Sequence, residues 1–174
     1  SGQRLIVGEG KINTPSGVNF TQSATIAGVS STGSVLTKIG AGMLTLPTTN
    51  TYGKLLIQAG TVNTLEGTGV VIGLPTTVEF TGGSLVDANN EYSYATNKAN
   101  FIVETGKTGS ITLDPRCNYT GTLTGAGTLT VIAGGIRNYL QGDWSAFEGE
   151  LVVKATKRGS YDPLLYWNNG YGLP

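Results

Sequence analysis

The side chains best suited to a chemical role in this sequence are aromatic ones that lie beside polar residues. Flat aromatic faces stack on sugar rings, and neighbouring amides bond to sugar hydroxyls. The candidates for such a carbohydrate-binding site are Tyr92, Tyr94, Trp144, Tyr166, Trp167 and Tyr171. Asp162 and the pair Asn168-Asn169 lie among the last of these aromatic residues and would supply the polar partners.

Each of these candidates also has a structural interpretation. Residues 87–97, DANNEYSYATN, are too polar for a core and lack an apolar helical stripe, so this segment is predicted to be a surface loop. Trp144 and Phe147 suit the interior of a wide coil equally well. Residues 154–174 are first basic and then aromatic without alternation, which predicts an irregular cap over an open end or the start of a missing segment.

Several kinds of catalysis are excluded by composition. The sequence has no histidine, the commonest general base and metal ligand. The single Cys117 has neither zinc-ligand spacing nor a redox partner, so it is predicted to be a buried apolar residue. We therefore expect no catalytic residue, no metal site and no cofactor, and the chain is predicted not to be an enzyme.

Charge and hydropathy exclude two classes of partner. Lys+Arg and Asp+Glu number 11 each, so the chain lacks the basic footprint of proteins that bind nucleic acid or anionic membranes. There is no run of ~18 or more apolar residues, the length that a membrane-spanning helix requires.

The elements that must position any site are short β-strands. The chain contains 27 Gly and only 13% charged residues, and apolar residues alternate with period two in stretches such as 43–46 and 55–58. Two stretches, 38–65 and 123–153, resemble each other as repeat copies, because Gly40-Ala41-Gly42 and Gly125-Ala126-Gly127 each precede such a strand.

Two architectures contain many short strands at this spacing. An antiparallel β-sandwich favours tight Asn-Gly or Asp-Gly hairpins, but the only Asn-Gly pair, Asn169-Gly170, lies in the aromatic tail. Gly-x-Gly bends with inward Leu, Val and Ile suit the stacked coils of a β-solenoid. We therefore predict solenoid coils over residues 1–153, with the antiparallel β-sandwich as the alternative.

Part of the chain carries a family resemblance. The segments Lys38–Leu46 (KIGAGMLTL), Asn50–Gly53 (NTYG) and Ile57–Val62 (IQAGTV) resemble the autotransporter-associated β-strand repeat, with Met43 where Thr is usual. Members of that family are passenger regions of bacterial secreted or surface proteins, mostly right-handed parallel β-helices. The resemblance therefore implies a right-handed parallel β-helix and an extracellular or cell-surface location, and the motif itself carries no catalytic residue.

Likeness of fold also brings pectate-lyase-like enzymes into consideration. The fold of these enzymes resembles the predicted one. The resemblance would imply a cation held by carboxylates, together with an Arg or Lys that acts as the base. The nearest residues here are Asp114-Pro115-Arg116 with Asp143, Glu148 and Glu150. No paired carboxylates are spaced along one coil, and an Asp-Pro turn followed by a solvated arginine is the structural interpretation.

The working hypothesis is a structural scaffold or stalk segment of a bacterial secreted or cell-surface protein, which presents functional parts outside this chain. The main alternative is a carbohydrate-binding or adhesion module, and a polysaccharide lyase is the third. The expected partners are a glycan or another cell-surface ligand, and further coils that associate end to end.

Overall fold

The computed structural model describes residues 4–47, 49–64, 74–87, 94–113, 116–157 and 162–167. Within these ranges the regular structure consists of strands and contains no helix, so none of the described segments is a helix able to cross a membrane. In chain order the strands are β1 (Arg4–Val7), β2 (Glu9–Asn13), β3 (Asn19–Thr21), β4 (Thr25–Gly28), β5 (Val35–Ile39), β6 (Met43–Leu46), β7 (Lys54–Ile57), β8 (Thr61–Thr64), β9 (Thr77–Phe80), β10 (Ser84–Asp87), β11 (Ala95–Asn97), β12 (Asn100–Val103), β13 (Thr108–Leu113), β14 (Cys117–Tyr119), β15 (Leu123–Gly125), β16 (Thr128–Ala133), β17 (Asn138–Leu140), β18 (Glu150–Ala155) and β19 (Leu165–Trp167).

The strands wind into a β-solenoid of about six turns. A six-stranded sheet has the order β2-β5-β7-β9-β12-β15, and a seven-stranded sheet has the order β3-β6-β8-β10-β13-β16-β18. The remaining strands form the pair β1-β4 and the four-stranded sheet β11-β14-β17-β19. Every pairing between these strands is parallel. The predicted all-β parallel solenoid is confirmed, and the antiparallel β-sandwich is wrong.

The turns of the solenoid differ in length. Met43 pairs with Thr61, 18 positions later (61 − 43), whereas Ser84 pairs with Ser110, 26 positions later (110 − 84). The extra residues lie in the corners, because the strands must stay in register for the hydrogen bonds between turns. The sequence therefore lacks a fixed period from which register could be read.

The core is a set of inward columns of side chains that run along the solenoid. In the six-stranded sheet, one column stays apolar over five consecutive strands, and none of its members is more than 1% exposed: Leu36, Leu55, Val78, Phe101 and Leu123. The ring of Phe101 also lies 6.0 Å from that of Phe80 and 5.8 Å from that of Tyr119, measured between centroids. Inward side chains of each described turn thus pack against those of the neighbouring turns, as in other repeat folds.

Glycines form the corner between the six-stranded and the seven-stranded sheets. Gly40 and Gly125, the corresponding glycines of the two similar stretches, both lie at this corner, with φ of 77° and 103°. Gly60 lies at the same corner one turn after Gly40, with φ of 69°. A Cβ atom at Gly60 would overlap the carbonyl oxygens of Gly40 and Gly42 in the preceding turn. Glycine is therefore required here for both backbone conformation and close approach.

Asparagines stabilise another recurring corner. The side-chain amide of Asn50 donates to the carbonyl oxygen of Pro47 (2.9 Å), and its oxygen accepts from the N–H of Ile26 in the preceding turn (3.2 Å). Asn138 makes the same two bonds. Its side-chain amide donates to the carbonyl oxygen of Gly135 (2.9 Å), and its side-chain oxygen accepts from the N–H of Cys117 in the preceding turn (3.4 Å). Each amide thus satisfies backbone groups at a bend and links two turns.

The prediction of a surface loop over residues 87–97 is wrong at both ends. Asp87 is the last residue of β10 and is 0% exposed, and Ala95–Asn97 form β11 with Ala95 and Asn97 buried. The segment is polar yet partly interior because the Asp87 carboxylate has hydrogen-bond partners inside the solenoid. Residues 88–93 lie outside the described part of the chain.

The expectation of an irregular segment from residue 154 onwards is also corrected in part. Strand β18 continues to Ala155, and Leu165–Trp167 form β19, which pairs with β17. This segment forms a strand because Leu165 and Trp167 pack against the core while Tyr166 points outward. Residues 158–161 and 168–174 lie outside the described ranges.

Candidate functional site

Of the predicted sugar-binding residues, Trp144 lies in the interior of the solenoid and Trp167 is half-buried against it. The Trp144 side chain is 1% exposed, and its indole N–H donates to the carbonyl oxygen of Gly121 at 3.1 Å. Trp167 packs edge-on against it, with centroids 5.4 Å apart and planes at 89°. The structure therefore removes Trp144 from the candidate surface, and it assigns Trp167 mainly to packing.

The other candidates divide into exposed residues and residues that are not described. Tyr94 and Tyr166 are each 43% exposed and belong to the turns that build the four-stranded sheet. Tyr92 and Tyr171 lie outside the described residues. Tyr94 and Tyr166 thus remain as surface candidates, and the structure places another tyrosine between them.

That residue is Tyr139 of β17, which the sequence did not single out. Its ring stacks on that of Tyr166, with centroids 4.9 Å apart and planes inclined by 15°, because the parallel register sets the two residues side by side. Tyr94 lies just before β11, and its ring centroid is 6.1 Å from that of Tyr139. We name this surface the tyrosine face and define it as Tyr94, Asn118, Arg137, Tyr139, Gln141 and Tyr166.

A shallow depression of about 300 Å³ lies on the tyrosine face and is lined by Tyr94, Asn118, Tyr139 and Gln141. Asn118 of β14 is the register partner of Tyr139. Its short amide side chain therefore lies one turn before Tyr139 and one turn after Tyr94. Aromatic walls with a few polar groups are the usual lining of small-ligand sites, and this volume is at the lower end of their range.

Two arginines stand at equivalent positions of the four-stranded sheet. Arg116 and Arg137 each directly precede a strand of the four-stranded sheet, and both have left-handed backbone, with φ of 64° and 61°. That conformation costs a residue other than glycine roughly 1–2 kcal/mol. Hydrogen bonds to the adjacent turns hold the backbone of Arg116 in place. Its N–H donates to the carbonyl oxygen of Ile136 (3.0 Å), and its own carbonyl oxygen accepts from the N–H of Ala95 (3.1 Å).

The Tyr139 hydroxyl is a neutral donor and acceptor at physiological pH. Desolvation raises the pKa of Tyr139, and its hydrogen bond with Tyr94 raises it further, whereas the charge of Arg137 lowers it. A neutral phenol both donates and accepts hydrogen bonds. The face therefore combines hydroxyls, amides and the guanidinium group of Arg137.

A second polar cluster lies inside the solenoid around Asp87. The carboxylate accepts hydrogen bonds from Thr64 Oγ1 (3.1 Å), Asn97 Nδ2 (3.0 Å) and the Tyr119 hydroxyl. Burial raises the pKa of Asp87 to about 6, against the lowering effect of these three bonds. Cys117 is 0% exposed, with Sγ 4.0 Å from the Asp87 carbonyl oxygen, so the prediction of a buried cysteine is confirmed.

This cluster is closed to solvent, because Thr64, Asp87, Asn97, Cys117 and Tyr119 are each no more than 2% exposed. Burial and the charge of Asp87 raise the pKa of the Cys117 thiol well above its usual value. The thiol therefore stays protonated and unreactive. The cluster has the features of a satisfied structural network rather than those of an accessible active site.

The residues considered for lyase chemistry are dispersed. Arg116 borders the four-stranded sheet, whereas Glu150 begins β18 of the seven-stranded sheet and accepts from Thr128 Oγ1 at 3.2 Å. Asp143 accepts from the Ser145 hydroxyl (2.6 Å) and N–H (3.0 Å), which lower its pKa. Asp114 and Pro115 lie outside the described ranges. Within the described ranges, no three His, Cys, Asp or Glu side chains are grouped so as to hold a metal ion.

Comparisons of the chain with models of protein families, with curated protein sequences and with solved structures found no match in any of the three.

Proposed function

We propose that this chain is a structural segment of a bacterial exported protein, a stiff β-solenoid that holds functional parts at fixed positions. The observation that carries the proposal is the continuous inward column from Leu36 to Leu123, which stays apolar and buried over five successive strands. Most of the residues that carry the family resemblance are buried or half-buried, at glycine and asparagine corners or in the core, and the exposed ones are Ala41, Thr51 and Gln58. They therefore serve the coil rather than an exposed site.

Stiffness follows from the bonding between turns. Each strand of the six-stranded sheet between β2 and β15 pairs with strands on both sides, so bending the solenoid breaks hydrogen bonds and opens apolar contacts together. One turn advances the structure by roughly 4.8 Å, the spacing of neighbouring strands. Loops at the corners are thereby presented at regular intervals along the axis.

The stiffness is tested by a distance measurement between spin labels on Lys11→Cys and Thr124→Cys. These residues lie in one column of the six-stranded sheet, joined through Thr37, Leu56, Glu79 and Ile102. Five steps of strand spacing give roughly 24 Å between the backbone positions. Pulsed electron spin resonance should give one narrow distribution near that distance, because the buried Cys117 takes up little label. A broad distribution would contradict the scaffold.

Export is a separate part of the proposal and needs its own test. Externally added protease should degrade the chain on intact cells that express the whole gene product. Protection until the cells are lysed would place the protein inside the cell and refute export, with the scaffold itself unaffected.

A second candidate function is carbohydrate binding, and the tyrosine face favours it. Tyr139 and Tyr166 form a stacked pair at the surface, next to a depression that contains two amides. Amphipathic tyrosines with adjacent amides suit hydroxyl-rich ligands. A glycan array should show binding that is lost in the Tyr139→Leu variant. Absence of binding to every glycan on the array would leave the scaffold as the sole proposal.

A further inference from the structure

Tyr139 and Tyr166 place two phenol rings against each other on consecutive turns. Their ring centroids are 4.9 Å apart, and the ring planes are inclined by only 15°. The two residues are register partners in β17 and β19, and neighbouring strands lie roughly 4.8 Å apart. The sheet therefore holds the rings in contact, and no change of the backbone is needed to bring them together.

Both rings can be reached by small molecules from solution. Tyr166 is 43% exposed, and Tyr139 is half-buried and lines the shallow depression. The interior tyrosines differ, since Tyr52 and Tyr119 are almost fully buried and the Tyr119 hydroxyl donates to Asp87. Among the described residues, contacts between two tyrosine rings occur only on the tyrosine face.

The other easily oxidised side chains of the described ranges are less accessible. Cys117 and Trp144 are no more than 1% exposed, and Met43 and Trp167 are half-buried. Oxidation of a side chain depends on its exposure as well as on its chemistry. An oxidant in solution therefore meets the phenols of the tyrosine face before it meets the thiol or the buried indole.

We propose that Tyr139 and Tyr166 form a site of oxidative cross-linking, at which a carbon–carbon bond between the two rings ties the turn of β19 to that of β17. The oxidant is hydrogen peroxide, used by a haem peroxidase. Each phenol gives up one electron and its hydroxyl proton, which produces two phenoxyl radicals. Their unpaired electrons are shared with the ring carbons next to the hydroxyl, and two of these carbons bond. The hydrogen on each carbon then returns to the oxygen, and the peroxide is reduced to two water molecules.

The bond would act where the described solenoid has little pairing. Strand β19 has three residues and lies at the edge of the four-stranded sheet, paired with β17 alone. Short segments with few partners open most readily. A link between Tyr139 and Tyr166 closes a loop in the chain and so lowers the entropy of the opened state. Cross-linking therefore stabilises this edge, independently of any carbohydrate binding.

The test treats the whole chain, at low concentration, with a haem peroxidase and hydrogen peroxide. We expect blue dityrosine fluorescence and a monomer whose mass has fallen by that of two hydrogen atoms. Trypsin, which cuts after Lys and Arg, should release peptides 138–154 and 159–174 joined to each other. Fragmentation of the joined peptides must place the bond at Tyr166, because the second peptide also contains Tyr161 and Tyr171.

Single hydroxyl deletions locate the bond. Tyr139→Phe and Tyr166→Phe keep the ring and its packing but have no hydroxyl hydrogen to lose, so each should lose the joined peptides. Tyr94→Phe leaves the stacked pair intact and should still cross-link. Tyr52→Phe is the control for a buried phenol and should behave as the wild type. Treatment should raise hydrogen-exchange protection of β19 in the wild type and leave it unchanged in Tyr166→Phe.

Several results would overturn the proposal. Absence of dityrosine, or cross-links found only between separate chains, would mean that the register does not bring the two rings into coupling distance. Joined peptides that persist in Tyr166→Phe would place the bond at another tyrosine of the second peptide, and a bond from Tyr94 to Tyr139 would replace the assigned pair. A correct bond that leaves the exchange of β19 unchanged would refute its role in tying the two turns together.

Discussion

Asp87 is a charged group inside a stack that is otherwise mostly apolar. Thr64 and Asp87 follow each other in an inward column of the seven-stranded sheet, between Leu46 and Leu113. Three donors from three other strands reach the carboxylate, which is how a buried acid is retained without a cation. Desolvation still outweighs these bonds, since the pKa of Asp87 is raised to about 6.

The raised pKa predicts a pH dependence of folding stability that the Asp87→Asn variant lacks. The folded state holds the Asp87 proton more tightly than the unfolded state, so the wild type loses stability as pH rises from about 4 to about 6 and loses no more above that. The shift of roughly two pKa units corresponds to about 3 kcal/mol. Asparagine keeps an oxygen toward Asn97 and Tyr119 and donates its amide to Thr64.

Urea unfolding at pH 4, 5, 6 and 7 measures this difference. The free energy of unfolding of Asp87→Asn, relative to the wild type, should increase by about 3 kcal/mol across this range and then level off. Tyr119→Phe removes a bond that lowers the Asp87 pKa, so it should move the plateau to higher pH. A difference that does not change with pH would show that the carboxyl titrates as an ordinary exposed acid.

Lys38 holds the glycine corner together. It is 0% exposed, and its ammonium donates to the carbonyl oxygens of Ile39 (2.9 Å), Gly40 (2.7 Å) and Ala59 (3.0 Å), the last in the next turn. Burial lowers the pKa of Lys38, and the three acceptors favour retention of its charge. The lysine that begins the repeat motif is thus a structural cross-link between turns.

We predict that Lys38→Met destabilises the fold by about 3 kcal/mol, because methionine fills a similar volume but leaves these carbonyls without their donor. Lys54→Met is the matched control. It breaks the Lys54–Glu79 ion pair (2.9 Å), whose side chains are 37% and 20% exposed, and exposed pairs contribute at most about 1 kcal/mol. Equal losses of unfolding free energy in the two variants would refute the cross-link.

Two glycines in the corners between the six-stranded and the seven-stranded sheets allow a matched pair of substitutions. Gly60 and Gly106 both have positive φ, 69° and 72°, in corners between the same two sheets. A Cβ at Gly60 meets carbonyls of the preceding turn and Lys38 Nζ, whereas a Cβ at Gly106 has nothing within 4 Å. Only Gly60 therefore carries a packing requirement in addition to the backbone requirement.

Gly106→Ala should lower the free energy of unfolding by about 1 kcal/mol, because alanine is strained in a left-handed backbone. Gly60→Ala should lower it by at least about 2 kcal/mol more, because the added Cβ forces consecutive turns apart. Thermal unfolding followed by circular dichroism measures both variants. Similar midpoints for the two would mean that the corner relaxes without cost and that close approach is not what selects glycine there.

The elements could be predicted because their causes are local. The alternation of apolar and polar residues and the Gly-x-Gly bends involve residues adjacent in sequence. These patterns predict the strands around Met43–Leu46 and Lys54–Ile57 and the stacked architecture. The prediction of a surface loop at 87–97 is wrong because the partners of Asp87 come from other elements of the chain. Nothing near Asp87 in the sequence indicates that Thr64 and Tyr119 reach it.

The tyrosine face could be predicted only in part for a related reason. Tyr94 and Tyr166 lie close to other aromatic residues in the sequence, whereas Tyr139 has polar neighbours but no second aromatic residue within four positions. Its position beside Tyr166 depends on the register of turns of unequal length, which spacing does not reveal. Trp144 was proposed as a ligand-binding residue because a buried indole and an exposed one look alike in sequence.

The part of the molecule that the structure describes is a linear array in which strands pair with strands of the adjacent turns. Its stability should therefore be distributed along the axis, as in other repeat folds, and damage at one turn should affect nearby turns more than distant ones. Phe101 is suited to test this, because it lies in the middle of the apolar column and its ring contacts Phe80 and Tyr119.

Phe101→Ala should lower the free energy of unfolding by about 3–5 kcal/mol, since it leaves a cavity that the flanking turns cannot fill. In hydrogen exchange followed by mass spectrometry, protection should fall most in β9, β12 and β15, which pair directly around the cavity, and least in β2 and β5. Val153→Ala, at a side chain 53% exposed on β18, should change little. A uniform loss of protection from β2 to β18 would show that the solenoid opens as one cooperative unit, and that its turns are coupled beyond their nearest neighbours.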